Sequence, residues 1–292
     1  MKKKRLLAAY FELSKPRILT LVLVTTTLGY YLGAKRVFTF SLFLKLLTGV
    51  GLTCAGSSAL NHYLEREYDS KMQRTQNRPI PAGIIQPAHA LAFGVVLVLA
   101  GIALLLTQIN LFVSFLTLLT SFLYIMVYTP MKRVTWFSTT VGAIPGAMPP
   151  LLGWAGAGGS LHLNAFALFL ILFIWQHPHF YAITWMFKED YKRAGFKMLP
   201  CLEPNGERDT LSQIRWFASG LIPISLIPAM TGLLGPLYLV GALMAGGGVW
   251  IVAHTFIRSR SHTDARALLK ATILYLPVLF TFVVLDSILK FQ

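Results

Sequence analysis

About nine apolar stretches, each close to the roughly 20 residues that carry a helix across a bilayer, constrain this chain more than any motif does. They fall at 17–34, 41–60, 89–107, 112–129, 134–153, 163–187, 214–233, 236–257 and 270–289. With 55% hydrophobic and 13% charged residues, the composition excludes an ordinary soluble enzyme. The expectation is an all-α polytopic membrane protein, one integral-membrane domain over residues 1–292.

A formal charge of +15 would suit nucleic acid, but its placement argues for topology instead. If the N-terminus is cytoplasmic, 22 of the 26 basic residues fall on the cytoplasmic side, leaving Lys35, Arg36, Lys45 and Lys290 outside. The positive-inside rule then sets nine spans with N-terminus in and C-terminus out. Ten of the eleven acidic residues share the inner side, Asp286 being the exception, so the chemistry is expected there. The basic excess serves orientation and attraction to anionic lipid and substrate; no nucleic-acid partner is expected. Residues 6–14 are too weakly apolar for a cleaved signal peptide. Cys54 and Cys201 have neither CxxC nor zinc spacing, so no disulfide framework or structural metal is expected.

The most informative segment is 61–79, NHYLEREYDSKMQRTQNRP, which follows the second apolar run directly. Asn61, Glu65 and Asp69 recur every four residues, which on a helix stacks their oxygen-bearing side chains on one face. Such a ladder suits a hard cation: Mg²⁺ takes oxygen ligands and commonly bridges one or two carboxylates to substrate phosphates. Arg74 and Arg78, again four apart, offer planar donor forks for phosphate. A solvated helix end whose charges pair with one another would show similar spacing. Thr53 and Ser57 extend the stripe into the membrane, and the sequence 80–83, IPAG, breaks the helix after it.

Further along, Tyr124, Tyr128, Lys132 and Arg133 close the fourth run. Two readings fit them: an aromatic belt with topogenic charge, or a phosphate contact by Lys132 or Arg133. The fifth run holds Pro145, Pro149 and Pro150 with Gly142 and Gly146, which predicts a helix bent or interrupted within the membrane, either at a cavity wall or at a packing kink. In the sixth, Gln176, Phe180, Ile183, Phe187 and Asp190 fall near one helical face, an aromatic wall leading to a carboxylate. Its rings could stabilise a carbocation or fill the bundle core. His179 could donate a hydrogen bond, contact an iron or satisfy a neighbouring helix. Lys188, Glu189, Asp190, Lys192 and Arg193 then echo the first acidic segment four spans on, a faint internal repeat that would set two acidic ladders face to face.

Taken together, the 61–79 motif, the 128–133 sequence YTPMKR, the 142–154 sequence GAIPGAMPPLLGW, Trp175-Gln176-x-Pro178-His179-Phe180 and Asp190-Tyr191-xxx-Gly195-xx-Met198-Leu199-Pro200 resemble the UbiA superfamily of membrane prenyltransferases, and within it the protoheme IX farnesyltransferase (heme O synthase) branch. Glu65 and Glu67 stand where that branch usually has Asp, and Met186 occupies the earlier position of the second acidic motif. The resemblance implies nine helices in a UbiA-like bundle around a central cavity that opens sideways to lipid and is capped on the cytoplasmic side, in a bacterial inner membrane. It implies Mg²⁺ as cofactor, held by Asn61, Glu65, Asp69, Glu189 and Asp190. Asn61, Asp69, Asp190, Arg74 and Lys132 would be catalytic. Arg78, Arg133, Lys188, Tyr128, Gln176, His179 and Phe180 would contact substrates. Farnesyl diphosphate and heme b are the implied substrates, with a downstream heme-modifying or oxidase-assembly protein as a possible partner in the bilayer.

Two other classes compete: a quinone-pathway aromatic prenyltransferase, with the same metal chemistry and another acceptor, and a non-catalytic transporter, which would bind prenyl diphosphate without turnover. The charge asymmetry makes its own prediction, with 61–79 and 188–212 cytoplasmic and 35–40 and 154–162 outside. An impermeant thiol reagent added to intact cells should label a cysteine placed at Ser160 and miss one at Ser70; the opposite pattern would invert the topology.

Overall fold

The structure, a computed structural model, describes residues 2–34 and 38–290; Lys35 and Arg36, expected on the outer side, lie outside the described residues. Every regular element among the described residues is helical: α1 (Lys2–Leu13), α2 (Pro16–Gly33), α3 (Phe40–Asp69), α4 (Pro87–Gln108), α5 (Leu111–Phe122), a π-helical turn (Leu123–Tyr128), α6 (Thr129–Met131), α7 (Ser138–Ala147), α8 (Pro149–Gly156), α9 (Leu163–Met186), α10 (Lys188–Arg193), a 3₁₀ turn (Leu199–Cys201), α11 (Gly206–Met230), α12 (Pro236–Ser259) and α13 (His262–Lys290). Among the described residues six helical stretches are long and apolar enough to cross a bilayer: Phe40–Asp69, Pro87–Gln108, Leu111–Met131, Leu163–Met186, Pro236–Ser259 and His262–Leu289. The chain is an integral membrane protein. The other three expected stretches are helical, as α2, the broken pair α7 and α8, and α11, whose first turn carries Glu207 and Asp209, but they are not among these six.

Proline sets several of these boundaries. It opens α2, α4, α8 and α12, where its missing N–H is no loss, and Pro149 with Pro150 separates α7 from α8 at Met148. The interruption expected in the fifth run is therefore present. Helix α3 does not stop at the end of its apolar run but continues to Asp69, so the acidic ladder is a direct extension of a membrane helix.

The chain divides into two compact units. The first comprises Met1–Leu161 with Asp190–Phe196. Its axis is α3, which crosses α4 at small residues: a Cβ on Gly56 would sit 2.6 Å from the Gly94 carbonyl oxygen. Without bulk at such positions two backbones approach closely, the usual means of helix association where hydrocarbon supplies no hydrophobic drive. Helices α2 and α8 cross more tightly still, since a Cβ on Gly29 would lie 2.0 Å from the Pro150 oxygen and one on Gly153 2.0 Å from the Thr26 oxygen. Tyr30, Leu46, Val50, Leu105, Val113, Leu152 and Ala155 pack together in this unit, while Leu13, Ala59, Ile80, Ile85 and Ala90 anchor the non-helical connection after α3.

The second unit comprises His162–Glu189 with Lys197–Gln292. In it α9 packs against α11 and α13, and α12 lies against both α11 and α13. Asp286, the outlying acid of the sequence, is 4% exposed and accepts the backbone amides of Gly235 at 2.5 Å and Tyr238 at 3.1 Å. Those amides belong to the start of α12, where no intrahelical acceptor exists, so Asp286 caps a helix supplied by another stretch of chain.

The crossings make a direct prediction. Gly29→Ala or Gly153→Ala should lower the thermal midpoint of the detergent-solubilised protein, an overpacking cost of about 1–3 kcal/mol or more. Gly247→Ala, where an added Cβ meets nothing within 4 Å, should leave it unchanged.

Candidate active site

The ladder on α3 is buried rather than solvated: Asn61 is 0%, Glu65 6% and Asp69 1% exposed. Charge there needs compensation, and a base meets each of the three side chains. Lys15 donates to Asn61 Oδ1 at 2.5 Å, Lys132 to Glu65 Oε1 at 2.7 Å, and Arg78 Nη1 to both carboxylate oxygens of Asp69 at 2.7 Å. The orientation of the Asn61 amide follows from a relay. The Thr129 hydroxyl donates to the Tyr124 carbonyl at 2.8 Å, so it accepts from Asn61 Nδ2 at 3.0 Å, and Oδ1 is left to face Lys15. The π-helical turn makes this possible: within it the Thr129 amide bonds back to Tyr124, and both residues come to the end of α3. Above the ladder, Ser57 and Ser121 share a 2.9 Å hydrogen bond, continuing the polar stripe expected from Thr53 and Ser57.

Asp190, also in the first unit, holds the segment that follows the ladder. Its carboxylate accepts the amides of Gln73 at 3.3 Å and Arg74 at 3.2 Å and pairs with Arg193. Arg74 reaches the Tyr191 hydroxyl at 3.2 Å, and Arg133 reaches Tyr68 at 2.9 Å. Beside Glu65, Lys132 also lies 4.4 Å from the centre of the Tyr128 ring. For Lys132 and Arg133, then, contacts with the acidic helix replace a purely topogenic role.

Burial works against charge throughout, and the neighbours decide the outcome. Burial, with repulsion from Arg78, brings the Lys15 ammonium down to about 7 despite the pull of Glu65. Burial alone would lower Lys132 too, but Glu65, Tyr128 and Tyr124 hold it above its ordinary range. Burial would raise the Asp190 carboxyl; the amides of Arg74 and Gln73 and the Arg193 guanidinium outweigh it and keep it below the usual range.

Some expected residues stand elsewhere. Glu67, which the spacing of 61, 65 and 69 already leaves off the ladder face, pairs with Arg66 at 3.1 Å. Glu189 is exposed, and Lys188 pairs with Glu207 at 2.6 Å in the second unit. The wall expected to lead from Gln176 to Asp190 does not continue that far: α9 ends at Met186, Phe187 leaves helical geometry at φ −112° and ψ 27°, and α10 begins a separate turn. Within the second unit Gln176 Nε2 donates to its own helix at Leu172, and His177 stacks on Phe217 with ring centres 3.6 Å apart. His179 bonds Thr272 through Nδ1 at 2.9 Å, stacks on Trp175 at 5.1 Å, and lies edge-on to Phe180.

Lys15 is the site residue that sequence reasoning counted only as topology. Proline disfavours right-handed helical geometry in the residue before it, but the Lys15-Pro16 sequence does not foretell the left-handed φ 47°, ψ 65° that Lys15 adopts.

The donors fit a hard divalent cation. An amide oxygen and two carboxylates share one helical face, with no soft ligand among them. No group of three or more His, Cys, Asp or Glu close enough to hold a metal occurs among the described residues, so water and substrate oxygens would have to complete a shell, as Mg²⁺ commonly requires.

The sequence model of the UbiA prenyltransferase family matches residues 22–279. The chain belongs to this family. It is 46% identical over 289 residues to the protoheme IX farnesyltransferase of Solibacter usitatus, covering 95% of this chain and 98% of the relative. To the protoheme IX farnesyltransferase of Salinibacter ruber it is 40% identical over 279 residues, again 95% and 98%. Among solved structures, that of a digeranylgeranylglyceryl phosphate synthase superposes with a TM-score of 0.81 at 16% identity, covering 97% of this chain and 99% of the other. A UbiA homologue from Archaeoglobus fulgidus bound to DMAPP and Mg²⁺ gives 0.68 at 13% identity, covering 94% and 98%. These two likenesses establish a UbiA fold, the one expected from the motifs.

For this UbiA-family chain the Glu65–Lys132 pair gives the sharpest physical test. Lys132→Met should destabilise the protein by about 3–5 kcal/mol, because it strands a buried carboxylate. Glu65→Gln combined with Lys132→Met should recover much of that loss in thermal unfolding of the purified protein, the coupling expected of a desolvated pair.

Proposed function

We propose that this chain transfers the farnesyl group of farnesyl diphosphate to a vinyl group of heme b, releasing diphosphate and giving heme O, at the cytoplasmic face of a bacterial inner membrane. The observation that carries this reading is the 46% identity to a protoheme IX farnesyltransferase across nearly the whole of both chains. Because the family match runs through residues of both compact units, the reading treats 1–292 as one catalytic domain, with nine spans.

The site chemistry supports prenyl transfer. Mg²⁺, held by Asn61, Glu65 and Asp69, with Asp190 as a further candidate ligand, would supply positive charge to a diphosphate leaving group, and the DMAPP and Mg²⁺ bound to the Archaeoglobus homologue favour that pairing. Lys15, Arg78 and Lys132, now held against the ladder oxygens, are positioned to move their donors to diphosphate oxygens; Arg74 and Arg133 add two further forks. As the allylic C1–O bond breaks, its electron pair leaves with the diphosphate, and these cations stabilise the charge that develops. The heme vinyl group donates its π pair to farnesyl C1, forming the new C–C bond. Water then adds to the cationic carbon left beside the porphyrin and gives up a proton, leaving a hydroxyethylfarnesyl substituent. No protein nucleophile enters this sequence.

Membranes containing the protein, supplied with heme b, farnesyl diphosphate and Mg²⁺, should yield a more strongly retained heme on reverse-phase chromatography, heavier by a farnesyl and a hydroxyl group. Asn61→Ala, Asp69→Ala and Asp190→Ala should each reduce turnover by about 10²–10³-fold, while Glu67→Ala should do much less. Unchanged heme alongside prenylated 4-hydroxybenzoate would reassign the acceptor; full activity in chelator would remove the metal-assisted mechanism.

A further inference from the structure

In the second unit, His179 is held by a contact whose chemistry goes beyond packing. Thr272, on α13, is 0% exposed, and its hydroxyl donates to the Leu269 carbonyl at 2.8 Å. A hydroxyl has one hydrogen, so toward His179 Nδ1, at 2.9 Å, Thr272 Oγ1 can only accept. Both contacts are hydrogen bonds only if His179 carries its proton on Nδ1. The neutral ring then presents Nε2 as a bare lone pair, and among the described residues that nitrogen meets no donor. Two further contacts hold the ring plane. Trp175 stacks beneath it with ring centres 5.1 Å apart and planes inclined by 26°, and the Trp175 indole N–H donates to the Thr272 carbonyl at 2.7 Å. One residue of α13 thus fixes both the imidazole and the indole it lies on.

We infer that Thr272 is a positioning residue: it locks His179 in the Nδ1–H tautomer so that Nε2 is offered as a nitrogen ligand to the iron of the heme substrate. The arrangement has the form common to metal-binding histidines, in which one ring N–H is tied to a fixed acceptor and the other nitrogen is thereby oriented and made more basic. A histidine kept only for packing would gain nothing from a fixed tautomer with its second nitrogen unpartnered. This inference rests on the heme reading above for the identity of the ligand.

The test uses the full-length protein in detergent with ferric heme b. Thr272→Val, nearly isosteric, should weaken heme binding about tenfold or more and shift the heme absorption spectrum in the same direction as His179→Ala. Thr272→Ser should behave as wild type, and the KM for farnesyl diphosphate should not move in any of the three variants. A Thr272→Val protein with wild-type heme affinity and spectrum would overturn the inference, as would a heme spectrum in wild type that His179→Ala leaves unchanged. Independently of how that variant folds, the ¹⁵N spectrum of histidine-labelled wild type minus that of His179→Ala should show a protonated Nδ1 and a bare Nε2; the reverse tautomer would also overturn it. Wild type that binds heme with the His179-dependent spectrum but never farnesylates it would sink the proposed reaction and leave the role of Thr272 intact.

Discussion

The buried pair Glu65–Lys132 is the interaction around which the first unit is arranged. Taking two ions out of water costs several kcal/mol each, and a well-packed apolar pair at the same place would commonly be as stable or more so. Nor does the pair stand alone, because Asp69 meets Arg78 and Asn61 meets Lys15 along the same helical face. Three polar contacts in series at the end of a membrane helix are a poor way to stabilise a bundle. They are a good way to keep acids and bases apart from water until something charged arrives.

Such an array works only if its backbone is placed closely, and the packing around α3 does that. Glycines at the α3–α4 crossing bring two backbones together, and the α2–α8 crossing leaves no room for a methyl group. At the edges, two local departures from regular geometry aim side chains inward. Lys15 sits in the left-handed region, at a cost of about 1–2 kcal/mol for a residue with a Cβ. The π-helical turn before α6 adds a residue to the helical register, bringing Thr129 to Asn61 and Lys132 to Glu65. Both departures bring polar groups to the ladder, whereas the other left-handed non-glycine residue, Arg260, only closes α12.

What was legible in the sequence was whatever repeats with a regular period. Spacing of four predicted the shared face of Asn61, Glu65 and Asp69 because α3 is a continuous helix through all three. The prolines of 145–150 predicted the break at Met148, since proline acts on the helix locally. Asp190 stood out in the sequence as a candidate, but its geometry did not: the periodic face drawn from Gln176 assumed one helix, and Phe187 ends it. Its real partners are the backbone amides of Gln73 and Arg74, which no side-chain pattern reveals. Lys15 and the π-helical turn were hidden for the same reason, as both depend on backbone conformations that sequence period does not encode. Thr272 lies 93 residues from His179 and carried no signal at all.

Pairing of acids with bases also constrains the order in which ligands can occupy the site. A divalent cation arriving alone would find its oxygen ligands already bonded to Lys15, Arg78 and Lys132, and would be repelled by them. A diphosphate arriving alone would draw those bases away and leave Glu65 and Asp69 as uncompensated carboxylates in a buried setting, which is the more costly state. When both arrive together the partners exchange: bases pass to phosphate oxygens, carboxylates to the metal, and no buried charge is left bare. Under the proposed function, metal and prenyl diphosphate should therefore bind with mutual dependence, each raising the affinity of the site for the other by the same factor. On that reading the ladder would be a metal site completed by its substrate rather than a preformed one, which would account for the pairing of its acids with the protein's own cations.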